Sequence, residues 1–129
     1  MPTPGEPERF PRRVVIVGPC ASGKSTLVEA LRACGYDAQV SAQEHSAVPE
    51  LWKRGEPDVL IALVASIEAV RERRDESWPG WLHDVQAARL ANAQDAADLV
   101  IDTSGLDASE VVARALAFLK ADHTPCGLR

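Results

Sequence analysis

The chain has 129 residues, a length that suits one domain, and its 46% hydrophobic content is sufficient for a substantial core. Its net charge of −5 gives no basic field for nucleic acid, and no apolar run approaches the ~20 residues of a membrane span. These two features predict that the protein has no nucleic-acid or membrane partner. The chain also has three cysteines without paired metal spacing, and its N-terminus has no apolar signal-peptide core. We therefore expect a cytoplasmic protein.

The chain begins with a proline-rich segment, residues 1–12, which we expect to be a disordered lead-in. A single domain should follow over 13–121, with 122–129 as a flexible tail. The continuous apolar run in Arg13–Val17 predicts a buried parallel strand. Apolar residues then recur at helical spacing over 24–34.

Between this strand and this helix lies Gly18-Pro19-Cys20-Ala21-Ser22-Gly23-Lys24-Ser25-Thr26, which fits the phosphate-loop pattern G-x-x-x-x-G-K-[ST]. In such a loop, backbone N–H groups at a helix N-terminus hold the phosphates of ATP or GTP. We expect Lys24 to contact the outer phosphates and the Ser25 hydroxyl to bind Mg²⁺. The order of strand, loop and helix favours a nucleotide site over a coincidental glycine turn. Cys20 could be sensitive to oxidation, but it is more simply a small loop residue.

Further elements follow in alternation. A strand is predicted over 36–42, ending at a polar cluster that contains Glu44 and His45, and a short helix over 48–53. The most apolar run, Val59–Val64, predicts a central strand, and Ser66 is suited to cap the helix after it.

A long helix over 81–97 comes next, then a short buried strand over Leu99–Asp102. The long helix should place one set of residues inside: Leu82, Val85, Ala88 and Leu90. It should place another set on a different face: Gln86, Arg89 and Asn92. Asp107 and Glu110 form a capping box before a closing helix that uses Val112, Leu116 and Leu119.

Strands that alternate with helices predict an α/β protein with a parallel sheet. Ligands of such sheets bind beyond the C-terminal ends of the strands. The phosphate loop, Glu44, Ser66 and Asp102 should all lie at that edge.

With these elements placed, the sequence resembles the kinase-type P-loop NTPases, which include nucleoside, nucleotide and shikimate kinases, and small bacterial ATP-binding proteins of that group. The resemblance rests on 14–26, on 58–66 with Glu68 and Arg73, and on 97–103. It implies a three-layer P-loop NTPase fold, with a short parallel sheet of about four strands flanked by helices. It also implies a lid at about 71–90 that closes over phosphates. Arg73 matches the arginine at the start of that lid.

Arg71 and Arg74 are weaker candidates for the same role, and all three arginines could instead be a solvated helix end. The loop after Asp102 resembles the segment that borders the nucleotide base. The tryptophans could stack on an acceptor, although core or hinge packing is the commoner role of tryptophan. These residues are Trp52, Trp78 and Trp81.

The chain departs from the family where larger kinases have one more strand, which ends in an acidic magnesium residue. Asp58 lies at the wrong end of its strand, and Val64 stands where many relatives have aspartate. Glu44 is therefore the candidate to bind Mg²⁺ with Ser25 or to act as general base, because its strand ends beside the phosphate loop if that strand pairs with the first. His45 could help to bind an acceptor. The alternative is that Glu44 and His45 are both solvated surface residues with no role in binding.

Two functions follow from this pattern. The first is Mg-ATP-dependent phosphoryl transfer to a small molecule, with Lys24, Glu44 and Arg73 as catalytic residues. The second is a nucleotide-binding module or slow NTPase that regulates a partner. A GTPase switch is disfavoured because the sequence has no Asn-Lys-x-Asp signature.

Overall fold

The computed structural model describes residues 12–123. The remainder of the predicted lead-in and tail, residues 1–11 and 124–129, lies outside the described residues. The strands are β1 Arg13–Val17, β2 Asp37–Val40, β3 Val59–Val64 and β4 Leu99–Asp102. The helices are α1 Lys24–Ala33, α2 Ile67–Arg73, α3 Gly80–Ala96 and α4 Ala108–His123. Two 3₁₀ turns, Gln43–His45 and Leu51–Gly55, occupy the connection between β2 and β3.

The four strands form one parallel sheet in the order β2-β1-β3-β4. Val14 of β1 is in register with Ala38 of β2 and with Val59 of β3, and Ile61 of β3 is in register with Leu99 of β4. The predicted α/β class, the parallel sheet and its size of about four strands are confirmed. All four strands end at the same edge, because they run in the same direction.

Helices cover both faces of the sheet, because side chains alternate between the faces along each strand. On one face, Val14, Ile16 and Ile61 pack with buried residues of α1 and α4. On the other face, Val15 and Leu60 belong to a second cluster, which contains Trp52, Leu90 and Ala93. The two clusters hold α1 and α4 on one side of the sheet and α3 with the second 3₁₀ turn on the other.

The connection between β2 and β3 is fixed by side-chain contacts although it forms no strand. Trp52 is buried, and its indole Nε1 donates to Asn92 Oδ1 at 3.1 Å. The Gln43 side chain accepts a hydrogen bond from the Trp52 backbone N–H and donates one to the Val48 carbonyl oxygen. The short helix predicted over 48–53 is in fact the 3₁₀ turn Leu51–Gly55. Trp52 therefore packs in the core, which is the commoner of the two roles expected for it.

The predicted faces of α3 are partly wrong. Gln86 is 2% exposed, whereas Ala88 is exposed and Val85 is only partly buried. The reason is that α3 contacts the phosphate loop through Gln86 and the sheet through Leu90 and Ala93. The helix therefore buries the stripe that joins these three residues.

The last strand is less buried than predicted. Val100 is 48% exposed because β4 is an edge strand, whereas Ile101 is buried against α1 and α4. The capping box of α4 is confirmed, since Asp107 and Glu110 each accept the other's backbone N–H at 2.9 Å.

Candidate functional site

The candidate site lies at the C-terminal edge of the sheet. The loop 18–23 follows β1, the turn Gln43–His45 follows β2, and Thr103 follows β4. Contacts join these segments: Lys24 reaches Glu44, and Arg73 reaches both Ala21 and Thr103. The structure therefore brings together Lys24, Glu44 and Arg73 around one loop.

Two glycines hold this loop in shape for different reasons. Gly18 lies so close to its neighbours that a Cβ there would lie 2.6 Å from Ser22 Oγ and 3.0 Å from the Leu63 carbonyl oxygen. Gly23 has φ of 93°, the left-handed region that glycine adopts readily. Ala21 also has a positive φ, of 62°, which L-residues rarely adopt. The loop therefore carries backbone strain next to the helix start, as functional loops often do.

The N-terminus of α1 presents free backbone donors. Among the described residues, the N–H groups of Gly23, Lys24, Ser25 and Thr26 have no hydrogen-bond acceptor. No side chain of the described part caps this helix, and its first turn carries no acidic residue. Four consecutive donors at the positive end of a ten-residue helix are an arrangement that favours a negative charge.

Lys24 is folded back over the loop. Its Nζ donates to the carbonyl oxygens of Gly18 at 2.8 Å and Pro19 at 3.0 Å, and lies 2.8 Å from Glu44 Oε2. The Lys24 side chain is 11% exposed and that of Glu44 is 4% exposed. In this low-dielectric surrounding the two charges attract each other more strongly than a surface pair does, and the cost of desolvating them opposes this attraction.

Glu44 was predicted to lie beside the phosphate loop if β2 pairs with β1, and the structure has that pairing. Its Oε1 is buried and has no hydrogen-bond partner among the described residues. Its Oε2 contacts Lys24 and lies 3.4 Å from His45 Nε2. A buried carboxylate oxygen without a partner is costly, and a bound cation would satisfy it.

The arginines predicted for phosphate contact occupy different places. Arg73 donates to the Ala21 carbonyl at 3.0 Å, to Thr103 Oγ1 at 3.1 Å and to the Thr103 carbonyl. Arg74 lines the cavity around Lys24 and Glu44 and lies over the Trp78 ring. Arg73 thus joins the loop 18–23 to the loop after β4 by hydrogen bonds. Arg74 instead lines the cavity beside Lys24 and Glu44.

Gln86 is a site residue that sequence reasoning placed on the wrong face of its helix. Its Oε1 accepts the Cys20 backbone N–H at 3.1 Å, and its Nε2 donates to Cys20 Sγ at 3.3 Å. Gln86 therefore fixes the middle of the phosphate loop to α3. A signal was present, because Gln86 precedes Leu90 by four residues and Ala93 by seven, the spacing of one helix face.

Two cavities flank the loop. One, of 340 Å³, lies against 20–26 and is also lined by Glu44, His45 and Arg74. The other, of 280 Å³, also reaches the loop, at 21–23. Its walls combine polar and apolar residues: Arg73, Thr103, Leu106, Asp107, Val111 and Val112. The first cavity is polar and adjoins the free N–H groups, and the second offers apolar side chains.

Asp102 lies at the border of this site, at the end of β4. Hydrogen bonds from the Ser104 backbone and side chain, with a smaller contribution from the Arg73 charge, hold the pKa of Asp102 below its ordinary value. It is therefore a carboxylate at neutral pH, and Ser104 keeps the loop after β4 in a fixed turn.

No protein-family model matches this chain, and no curated protein is detectably similar to it. Among the described residues, no helix is both long and apolar enough to cross a membrane. The functional argument therefore depends on the chemistry of the site itself.

Proposed function

We propose that this chain is a P-loop protein that binds Mg-ATP and transfers its outer phosphoryl group to a small acceptor. The observation that carries the proposal is the row of free N–H groups from Gly23 to Thr26, with Lys24 beside it. Such a row, at the N-terminus of a helix that follows a buried parallel strand, is suited to a chain of phosphates.

Each part of the site has a task in this proposal. The N–H groups bind the inner phosphates, and Lys24 binds the outer ones after leaving Glu44. The cavity lined by Leu106, Val111 and Val112 takes the nucleoside, because apolar walls accept a flat base. This arrangement does not distinguish ATP from GTP, since the base would meet few side-chain donors.

The residues present fit a magnesium ion. Ser25 offers a hydroxyl and Glu44 a carboxylate on the wall of the same cavity, and Mg²⁺ prefers such oxygen ligands. Bound Mg²⁺ would neutralise charge on the outer phosphates. Glu44 Oε1, which has no partner of its own, would hold the ion through a bound water or accept the proton of the acceptor hydroxyl.

Arg73 and Arg74 would steady the transferred charge. Arg74 already lines the polar cavity, whereas Arg73 would have to release Thr103 to reach it. A planar guanidinium is suited to this role because it contacts two phosphate oxygens at once.

The experiment that tests nucleotide binding is titration of Mg-ATP into the wild type, Lys24→Ala and Lys53→Ala. Loss of one charged hydrogen bond should weaken binding about 10- to 150-fold in Lys24→Ala. Lys53→Ala is the matched control because Lys53 is exposed and, within 12–123, its ammonium group contacts Glu50 and the Trp52 ring alone. Equal affinity of all three proteins would contradict the proposal.

The second candidate function is a nucleotide-binding module without an acceptor. It is favoured by one observation: the only buried carboxylate among the described residues at this edge, Glu44, is already paired with Lys24. ADP release measured with and without nucleosides, nucleotides, sugars and small acids separates the two functions. Stimulation by one class supports transfer, and tight Mg-ATP binding without stimulation supports the module.

A further inference from the structure

A thiol, an imidazole and a carboxylate meet beside the phosphate loop. The ligand atoms of Cys20, Glu44 and His45 all lie within 4.8 Å of one another. Cys20 belongs to the loop after β1, and the other two belong to the 3₁₀ turn after β2. The pairing of β1 with β2 therefore brings them together, although 23 residues separate Cys20 from Glu44 in the sequence.

We propose that Cys20, Glu44 and His45 form a binding site for Zn²⁺ with three protein ligands and an open fourth position. This site shares Glu44 with the proposed magnesium site but does not use Ser25, and its existence does not depend on nucleotide binding. It differs also in chemistry, because a thiolate and an imidazole favour zinc over magnesium.

The distances are close to those of a tetrahedral zinc centre. Bond lengths of about 2.3 Å to sulfur and about 2.0 Å to nitrogen or oxygen place sulfur and nitrogen roughly 3.6 Å apart, and nitrogen and oxygen roughly 3.3 Å apart. Cys20 Sγ lies 3.8 Å from His45 Nε2, and His45 Nε2 lies 3.4 Å from Glu44 Oε2. These two separations exceed the tetrahedral values by only about 0.1–0.2 Å, and the third, from Cys20 Sγ to the Glu44 carboxylate, is at most 4.8 Å.

A second, independent observation points to a cation. The Glu44 side chain is 4% exposed, and its Oε1 has no hydrogen-bond partner among the described residues. Lys24 neutralises Oε2 and leaves this second oxygen unpaired. The carboxylate therefore keeps a buried oxygen whose coordinating capacity Lys24 does not use, and this oxygen is available to a cation.

The surroundings of the sulfur also suit a metal. Gln86, which is buried, donates from Nε2 to Cys20 Sγ at 3.3 Å and accepts the Cys20 backbone N–H. Hydrogen bonds of this kind orient metal-bound thiolates. His45 is 59% exposed, so an ion can enter from solvent. When zinc binds, the Cys20 thiol loses its proton to the buffer and a Zn–S bond forms.

One consequence rests on the proposed function. The three zinc ligands line the same cavity as Lys24 and Ser25, so zinc and Mg-ATP would compete for it. Zinc would then act as an inhibitor of nucleotide binding.

The test is titration of the ligand-free full chain with Co²⁺ and Zn²⁺ alone. Thiolate-bound Co²⁺ gives a charge-transfer absorption band, and Zn²⁺ should abolish it at one equivalent. The double variant Cys34→Ser/Cys126→Ser keeps Cys20 as its only thiol and should keep the band. Cys20→Ser should lose the band.

His45→Gln lies on the surface and should fold, so it tests the site if Cys20→Ser does not fold. We expect its Zn²⁺ affinity to fall by at least about tenfold. No band in the wild type, a band that persists in Cys20→Ser, or unchanged affinity in His45→Gln would overturn the proposal and indicate an adventitious ion only. Lys24→Ala distinguishes the two proposals, because it should weaken Mg-ATP binding and keep the Co²⁺ band.

Discussion

Gly18→Ala tests whether close packing, rather than phosphate contact alone, requires glycine at the start of the loop. The new Cβ would lie 2.6 Å from Ser22 Oγ, 3.0 Å from the Leu63 carbonyl oxygen and 3.1 Å from Leu63 Cβ. The first contact is shorter than real Cβ contacts, and the other two involve a strand in the centre of the sheet. Gly18 has no positive φ, so the cost comes from sterics alone.

The magnitude follows from two opposing effects. Overpacking of this kind costs about 1–3 kcal/mol, and we expect the upper part of that range because β3 backbone cannot shift freely. Replacing glycine by alanine also restricts the unfolded chain, which returns about 0.4–1 kcal/mol. The net loss in free energy of unfolding is therefore about 1–2.6 kcal/mol, or roughly 0.5–1.3 M in the urea midpoint for a slope of about 2 kcal/mol per M.

The assay is urea unfolding of a double-mutant cycle with Ser22→Ala. Ser22 Oγ is buried without a partner among the described residues, so its removal alone should be nearly neutral. It should recover part of the loss in Gly18→Ala, giving a coupling of at least about 0.5 kcal/mol. Gly105→Ala is the control, since no atom lies within 4 Å of its added Cβ. Equal stability of Gly18→Ala and Gly105→Ala would refute the reasoning.

Three further changes test local features of the fold by urea unfolding. Ser66→Ala removes the side-chain cap of α2 and should lower the free energy of unfolding by about 1 kcal/mol. Ser66→Asp should retain the cap, and an equal loss of stability in both variants would argue against capping. Glu56 has a φ of 49°, a left-handed conformation that is strained for any residue except glycine. Glu56→Gly should therefore raise the free energy of unfolding by up to about 1 kcal/mol, and a decrease would contradict this. Hydrogen bonds from the Ser109 hydroxyl and the Glu110 amide lower the pKa of Asp107 below 3.8. Its carboxylate therefore stabilises the fold above that pH and ceases to do so as pH falls through the lowered pKa. The urea midpoint of the wild type should exceed that of Asp107→Ala by the whole effect of the cap at pH 7, and this excess should decrease as the pH falls below 3.8. An excess that does not change with pH would disprove the cap.

Features that depend on neighbouring residues could be predicted from the sequence. β1 and β3 have the bounds expected from their continuous apolar runs, because a strand buried on both faces excludes polar side chains. The cap at Ser66 and the box at Asp107 were also found, since each joins groups three residues apart. The position of Glu44 beside the loop followed from one topological assumption, that β2 pairs with β1; its ion pair with Lys24 was not predicted.

Features that depend on tertiary contacts could not be predicted in the same way. Gln86 is polar, so its burial is stable only because the Cys20 N–H and Sγ satisfy its amide. Arg73 is held by the Thr103 carbonyl, an acceptor that depends on where the loop after β4 passes. In each case the partner lies at least 30 residues away, and no local pattern indicates it.

Glu44 decides how the site can accept an anion. In the ligand-free protein its carboxylate neutralises Lys24, so the loop offers an anion four N–H dipoles but little net positive charge from this pair. A bare triphosphate would have to take Lys24 from Glu44 and leave a buried carboxylate unpaired, which is costly. A triphosphate that carries a divalent cation avoids this cost, because the cation can take over Glu44 as Lys24 moves to the phosphates. Under the two proposals, magnesium would enter with the nucleotide, whereas zinc on Cys20 and His45 would hold the same carboxylate without it. The two ions would then act on nucleotide binding in opposite directions.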